Sequence, residues 1–203
     1  DDRMTIANIS TEMGVVSSAF PPDDRLADYF NEPAVRGIWA DEDAVYSRFI
    51  EIDLAKVFPL IYDTRNQAVR SVEELVGLKI QQGLIGACAS GRLEDLRLVS
   101  MILEDKHIAN GFQLFVVPAS RDIYLQAVEE GIIDKIAQSG AVVLGSSCGP
   151  CLGVGHVASA GNSRFLSTAN SRYIGSANHS GVEKYIASPA TVAMTALRGE
   201  LTP

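Results

Sequence analysis

From residue 80 onward, short apolar runs alternate with helical stretches, and no other feature of the chain constrains its fold as much. Residues 80–87 read as a buried strand. Residues 92–105 follow with Leu93, Leu96, Val99, Ile102 and Leu103 at helical spacing. Residues 112–117 form the next strand. Ser120 caps a helix with Ile123, Ala127 and Val128 inward, and Gly131 ends it. A short helix over 132–138, a strand over 141–145 and a short strand over 165–168 come next. Ser188-Pro189 then opens a last helix, with Ser as N-cap and Pro at the first helical position, and Gly199 closes it. Strands that alternate with helices imply crossover connections, and so α/β layers around a mainly parallel sheet.

The expected architecture is a three-layer α/β/α domain over residues 66–203, preceded by part of a second α/β domain over residues 1–65. In that first part, residues 4–16 show no clear period. Asp23-Asp24 can cap a helix over 25–31 with Leu26, Tyr29 and Phe30 on its apolar face. Residues 47–54 alternate Phe49 (and Ile50), Ile52 and Leu54 with polar residues, as a strand does. Residues 63–68 are polar and loop-like, which places a soft boundary near residue 65.

Composition narrows the function classes. The net charge of −8 and the scattered Lys and Arg argue against nucleic acid as a partner, because phosphate contacts need clustered cations. No apolar run reaches the ~18 residues of a membrane span, so no membrane partner is expected. The start, Asp1-Asp2-Arg3, has neither an initiator Met nor a signal peptide and is read as a cut or processed terminus. Three cysteines are an odd number in a chain too large to need disulfide staples, which points to a reducing compartment, the cytoplasm or else the mitochondrial matrix.

Those cysteines are Cys88 alone and the pair Cys148-Gly149-Pro150-Cys151, and both segments sit where predicted strands end. Three readings stand. A redox dithiol has this same Cys-Gly-Pro-Cys tetrapeptide at a helix N-terminus, but Leu152-Gly153-Val154-Gly155 is a poor helix start and no Trp precedes Cys148. A structural zinc site wants a fourth ligand, for which His156 is available; unligated core cysteines are the plainest variant of this reading. The third reading is a [4Fe–4S] cluster held by three thiolates, with one iron left open to act as a Lewis acid on a hydroxyl or carboxylate. Gly145-Ser146-Ser147 and Gly149 would let backbone N–H groups approach such an anionic cluster. The helix that begins near Arg92 would point its positive end toward Cys88.

The residues carry a resemblance. Ile85-Gly86-Ala87-Cys88-Ala89-Ser90-Gly91-Arg92 resembles the first cysteine motif of the aconitase superfamily, Gly-Ser-Cys-Thr-Asn-Gly-Arg. Cys148-Gly149-Pro150-Cys151-Leu152-Gly153 resembles its second motif. Residues 167–175, followed by Ala187-Ser188-Pro189-Ala190-Thr191-Val192, are similar to its Ser-Asn-Arg-Asn-Phe-Glu-Gly-Arg…Ala-Ser-Pro-Ala-Thr-Val stretch. Met4-Thr5-Ile6-Ala7-Asn8 with Glu12-Met13-Gly14 looks like its Met-Thr-Ile-Cys-Asn-Met…Glu-x-Gly segment. Four motifs in family order span nearly the whole chain. Within the family they look most like the C-terminal half of the 3-isopropylmalate dehydratase and homoaconitase large subunits.

The resemblance implies a hydro-lyase that dehydrates and rehydrates a 2-hydroxy di- or tricarboxylic acid, with a [4Fe–4S] cluster on Cys88, Cys148 and Cys151. It implies Glu12 and Asn8 as catalytic polar residues, with Glu12 near the iron-bound water. It implies Asn170 close to the cluster, and Ser171 and Arg172 at the place where substrate is bound. It further implies two partners, the N-terminal part of a large subunit and a small subunit or swivelling domain. The chain also departs from the pattern. Thr-Asn after the first cysteine is Ala89-Ser90, and the two family arginines fall on Ser171 and Ser176. Serine cannot form the bidentate fork that a carboxylate takes from arginine. Arg172, one position along, and His179 are the candidate replacements. The alternative is a divergent, non-catalytic or cluster-free subunit of the same family.

Overall fold

The computed structural model describes residues 1–10, 14–32, 37–148, 151, 163–169 and 182–203. Among them a seven-stranded sheet runs β2-β1-β7-β6-β3-β4-β5. The strands are β1 (Leu60–Asp63), β2 (Ala68–Ser71), β3 (Gln82–Gly86), β4 (Gln113–Val117), β5 (Val142–Val143), β6 (Arg164–Ser167) and β7 (Glu183–Ile186). Every neighbour pair from β7 to β5 is parallel, whereas β1 is antiparallel to both β2 and β7. This is the α/β architecture with a mainly parallel sheet that the alternation implies.

The helices are α1 (Asp2–Ile9), α2 (Asp24–Phe30), α3 (Ala87–Ser90), α4 (Leu93–Leu103), α5 (Arg121–Glu129), α6 (Ile132–Gln138) and α7 (Pro189–Arg198). Their ends follow local chemistry. Ser120 Oγ accepts the Ile123 N–H at 3.2 Å, and Ser188 Oγ accepts the Thr191 N–H at 3.2 Å. Gly199 closes α7 in the left-handed region, φ 69°. Successive strand residues point to opposite faces, and the core divides accordingly. Ile85, Leu114, Val116 and Leu166 face a large cluster built from Leu96, Val99 and Leu103 of α4, Ile136 of α6, and Val192 and Ala196 of α7. Fully burying each such aliphatic side chain contributes about 1.5–3 kcal/mol. Leu84, Phe115, Val117 and Phe165 face a smaller cluster on the other side, and Cys151 packs against it.

Two local expectations are corrected. Residues 47–54 form no strand, and Phe49, Ile50, Ile52 and Leu54 are exposed. A strand needs a neighbour for its backbone, and no described strand runs beside this one. Tyr29 and Phe30 do lie on α2, but they are exposed rather than buried. Residues 63–68 do turn, with Asp63 Oδ1 accepting the Arg65 and Asn66 N–H groups. The turn belongs to the β1–β2 hairpin, whose four-residue strands are too short to carry a periodic signal. No helix among the described residues is long and apolar enough to cross a membrane.

Candidate active site at the carboxyl edge of the sheet

Five parallel strands, β3 to β7, end on one edge of the sheet. The chain lays down β3, β4 and β5 outward in one direction, then returns to place β6 on the other side of β3. Ligand crevices form outside the carboxyl ends of strands where the order reverses in this way. Cys88 follows β3, Cys148 and Cys151 follow β5, and Thr168-Ala169 follow β6. The topology therefore brings all three cysteines to the edge that flanks the β3–β6 reversal.

The turn that presents Cys88 is tightly built. Gly86 has φ 118°, and a Cβ there would stand 2.0 Å from the carbonyl oxygen of Val117. A Cβ on Gly91 would meet the same oxygen at 2.4 Å. Both positions require glycine because the 86–91 turn lies directly against the end of β4. Between them Ala87, at φ 59°, takes a left-handed conformation that costs a non-glycine residue about 1–3 kcal/mol. The surroundings hold it there. The Gly86 N–H donates to Thr168 Oγ1 at 2.9 Å across the reversal, with both residues buried. The Ala119 N–H donates to the Gly91 carbonyl at 2.8 Å.

The carbonyls of this turn, left over at the end of the four-residue α3, are collected by side chains from two directions. Arg92 Nη2 donates to the Cys88 carbonyl at 3.2 Å, and Asn8 Nδ2 reaches it at 3.5 Å. Thr5 Oγ1 donates to the Ala89 carbonyl at 2.6 Å. Helix α1 thus rests on α3, and Asn8 stands over the backbone of Cys88. Arg92 is also the N-cap of α4, and Asp95 Oδ2 accepts its N–H at 3.1 Å. Burial pushes the Asp95 carboxyl above its ordinary range even with that bond in place.

Among the thiols, Cys88 and Cys148 are exposed and Cys151 is half-buried. The Cys151 thiol is pushed up to about 11, first by burial, then by the charges of Cys88 and Cys148. A positive charge beside Cys151 would remove the part of that penalty that comes from the other two thiols. Among the described residues no three His, Cys, Asp or Glu side chains stand close enough to hold a single metal ion. Glu12, Asn170, Ser171 and Arg172 lie outside the described residues, as do Ser176, His156 and His179.

Sequence reasoning did not single out Thr5, Arg92 or Thr168, which position the cysteine turn. Thr5 and Thr168 lie inside the quoted motifs, and Arg92 ends one. The partners of Thr5 and Thr168 are backbone atoms 84 and 82 residues away, which no local pattern shows, whereas Arg92 reaches a carbonyl four residues back.

The family described as "Aconitase family (aconitate hydratase)" matches residues 1–76 and 63–199. The chain belongs to the aconitase family. Its relatives within the family include the 3-isopropylmalate dehydratase large subunit of Clostridium botulinum (strain Alaska E43 / Type E3), 40% identical over 208 residues. Large subunit 1 of Thermotoga maritima is 38% identical over 211 residues, and large subunit 2 of Archaeoglobus fulgidus is 36% identical over 204. These matches cover 98–100% of this chain but only 49–50% of each relative. The aconitase-family chain thus spans about half the length of the curated relatives it matches.

Proposed function

We propose that this chain is the cluster-carrying segment of an iron–sulfur hydro-lyase, acting on a 2-hydroxy acid of the isopropylmalate or homocitrate type. The observation that carries the reading is the placement of Cys88, Cys148 and Cys151 at one sheet edge, with the Cys151 thiol raised by burial first and then by both of the others. That donor set fits a [4Fe–4S] cluster better than a lone ion, because a cluster spreads its thiolates over different irons. When bound, such a cluster supplies a Lewis acid at the iron that lacks a thiolate.

The chain's own residues have separable tasks. Gly86, Ala87 and Gly91 shape the turn that exposes Cys88. Thr5, Arg92 and Thr168 fix its backbone. Asn8, on α1, is the described polar side chain placed over that turn, and we assign it to orienting the substrate's oxygens. Glu12, four residues further on, is assigned to proton transfer, and Asn170, Ser171 and Arg172 to the substrate's carboxylate end. The companion half of a large subunit and a small subunit or swivelling domain are assigned the remaining groups of the site.

The test is anaerobic reconstitution with iron and sulfide, followed by assay with 2-isopropylmalate and homocitrate in the presence of the companion polypeptides. Iron and acid-labile sulfide bind the wild-type chain, and Cys88→Ser, Cys148→Ser and Cys151→Ser each lower the content. Iron content indifferent to all three substitutions would sink the reading. A second reading, a cluster-binding subunit without activity, is favoured by Ala89, Ser90, Ser171 and Ser176 in place of the family's residues. It corresponds to full cluster loading with no turnover of either acid.

A further inference from the structure

Residues 45–52 are the most conspicuous stretch that the site does not use. They combine Val45, Tyr46, Phe49, Ile50 and Ile52, all exposed; Val45 is 96% and Phe49 86% exposed. Among the described residues, what these side chains meet is one another, in the edge-to-face contact of the Tyr46 and Phe49 rings with centroids 5.3 Å apart. Among the described residues no backbone N–H or C=O of residues 45–52 has a hydrogen-bond partner; the flanking bonds are Ala44 N–H to Asp41 and Lys56 N–H to Asp53. Aromatic and β-branched residues are suited to a pleated, half-buried surface. Here that composition meets neither a ladder nor a core.

We infer that residues 45–52 are an added strand, docking on an exposed sheet edge of the half of the dehydratase large subunit that has no counterpart in this chain. The inference rests on the functional reading above. Strand addition satisfies the two deficits together, because main-chain bonds supply affinity and alternate side chains supply specificity. The choice of occupant follows from length and charge. Relatives of 36–40% identity align through this segment, yet carry as much polypeptide again outside the match. A second copy is a poor occupant. Each copy carries −8, and Asp41, Glu42, Asp43, Glu51 and Asp53 around the segment outnumber Arg48 and Lys56.

The experiment co-expresses the tagged chain with the unmatched half of the Clostridium botulinum large subunit, and separately measures amide exchange of residues 45–52. In the chain alone these amides exchange at free-peptide rates. In the co-purified complex, or in a chimaera that joins the two halves, they slow by about 100-fold or more. Ile50→Pro, which removes a backbone donor, and Ile52→Asp leave the melting temperature of the isolated chain unchanged and reduce recovery of the companion at least tenfold. Equally fast exchange in chain and chimaera overturns the inference, as does a homodimer of the chain alone that protects these amides. Absence of any co-purified companion, with the chimaera's amides still unprotected, also overturns it. Protection in a chimaera that binds no iron upholds the docking strand and refutes the cluster reading, so the two fail separately.

Discussion

Replacing Thr168 by valine probes the tie that holds the cysteine turn in place. Thr168 Oγ1 accepts the Gly86 N–H at 2.9 Å, and Thr168 is 6% exposed. Valine keeps the shape and removes the acceptor. The Gly86 N–H cannot turn to water, because it lies between β4 and β6 where the backbone is packed against Val117. A buried donor left without a partner costs about 1–3 kcal/mol. For a domain of this size roughly 2–4 °C accompanies each kcal/mol, so the middle of that range lowers Tm by about 4–8 °C. Thr168→Ser keeps the hydroxyl and loses one methyl, about 1 kcal/mol. Urea unfolding followed by far-UV circular dichroism ranks the two variants, and amide exchange reads Gly86 directly. The valine variant is the less stable, and its Gly86 amide exchanges faster than in the wild type or the serine variant. A valine variant as stable as wild type, with Gly86 still protected, would refute the reasoning. Cys88 lies two residues beyond this anchor, so iron loading should fall alongside stability.

Two further predictions concern the same edge. Gly86→Ala combines φ 118° with a Cβ 2.0 Å from a backbone oxygen, and is expected to cost at least about 3 kcal/mol. Gly111→Ala, at φ 84° with nothing within 4 Å, carries only the conformational penalty of about 1–2 kcal/mol; equal urea midpoints for the two would show that the close approach is absent. The Cys151 thiol, raised from 9.0 to about 11, holds roughly 100-fold less thiolate at pH 8 in the folded cluster-free chain than in the unfolded one. Iodoacetamide labelling read by mass spectrometry should lag by at least that factor. Because the folded value lies above the unfolded one, the thiol's contribution to stability is complete below pH 9.0 and is lost as pH rises through about 11. Labelling as fast in the folded as in the unfolded chain would contradict both statements.

Much of this molecule is coded locally, and those parts are legible in the sequence. Helices α4 to α7 announce themselves through spacing and caps a few residues apart, such as Ser120 with Ile123 and Ser188 with Thr191. The cysteine motifs likewise follow strands, β3 for Cys88 and β5 for Cys148 and Cys151, and so fall at the carboxyl edge of the sheet. Other parts depend on residues far apart in the chain. The strands of the β1–β2 hairpin and β7 are four residues each, and the hairpin joins the parallel sheet because β1 pairs with β7, over a hundred residues later. Residues 47–54 show the converse, a strand-like pattern that stays unpaired because no described neighbour offers a ladder. The strand order that reverses between β3 and β6, the Gly86–Thr168 tie and the burial that, with the other two thiols, raises Cys151 are all long-range effects. Periodicity and capping act over one or two turns, so they name the elements. Only the packed sheet decides which strands lie side by side, and therefore which cysteine segments reach the same edge.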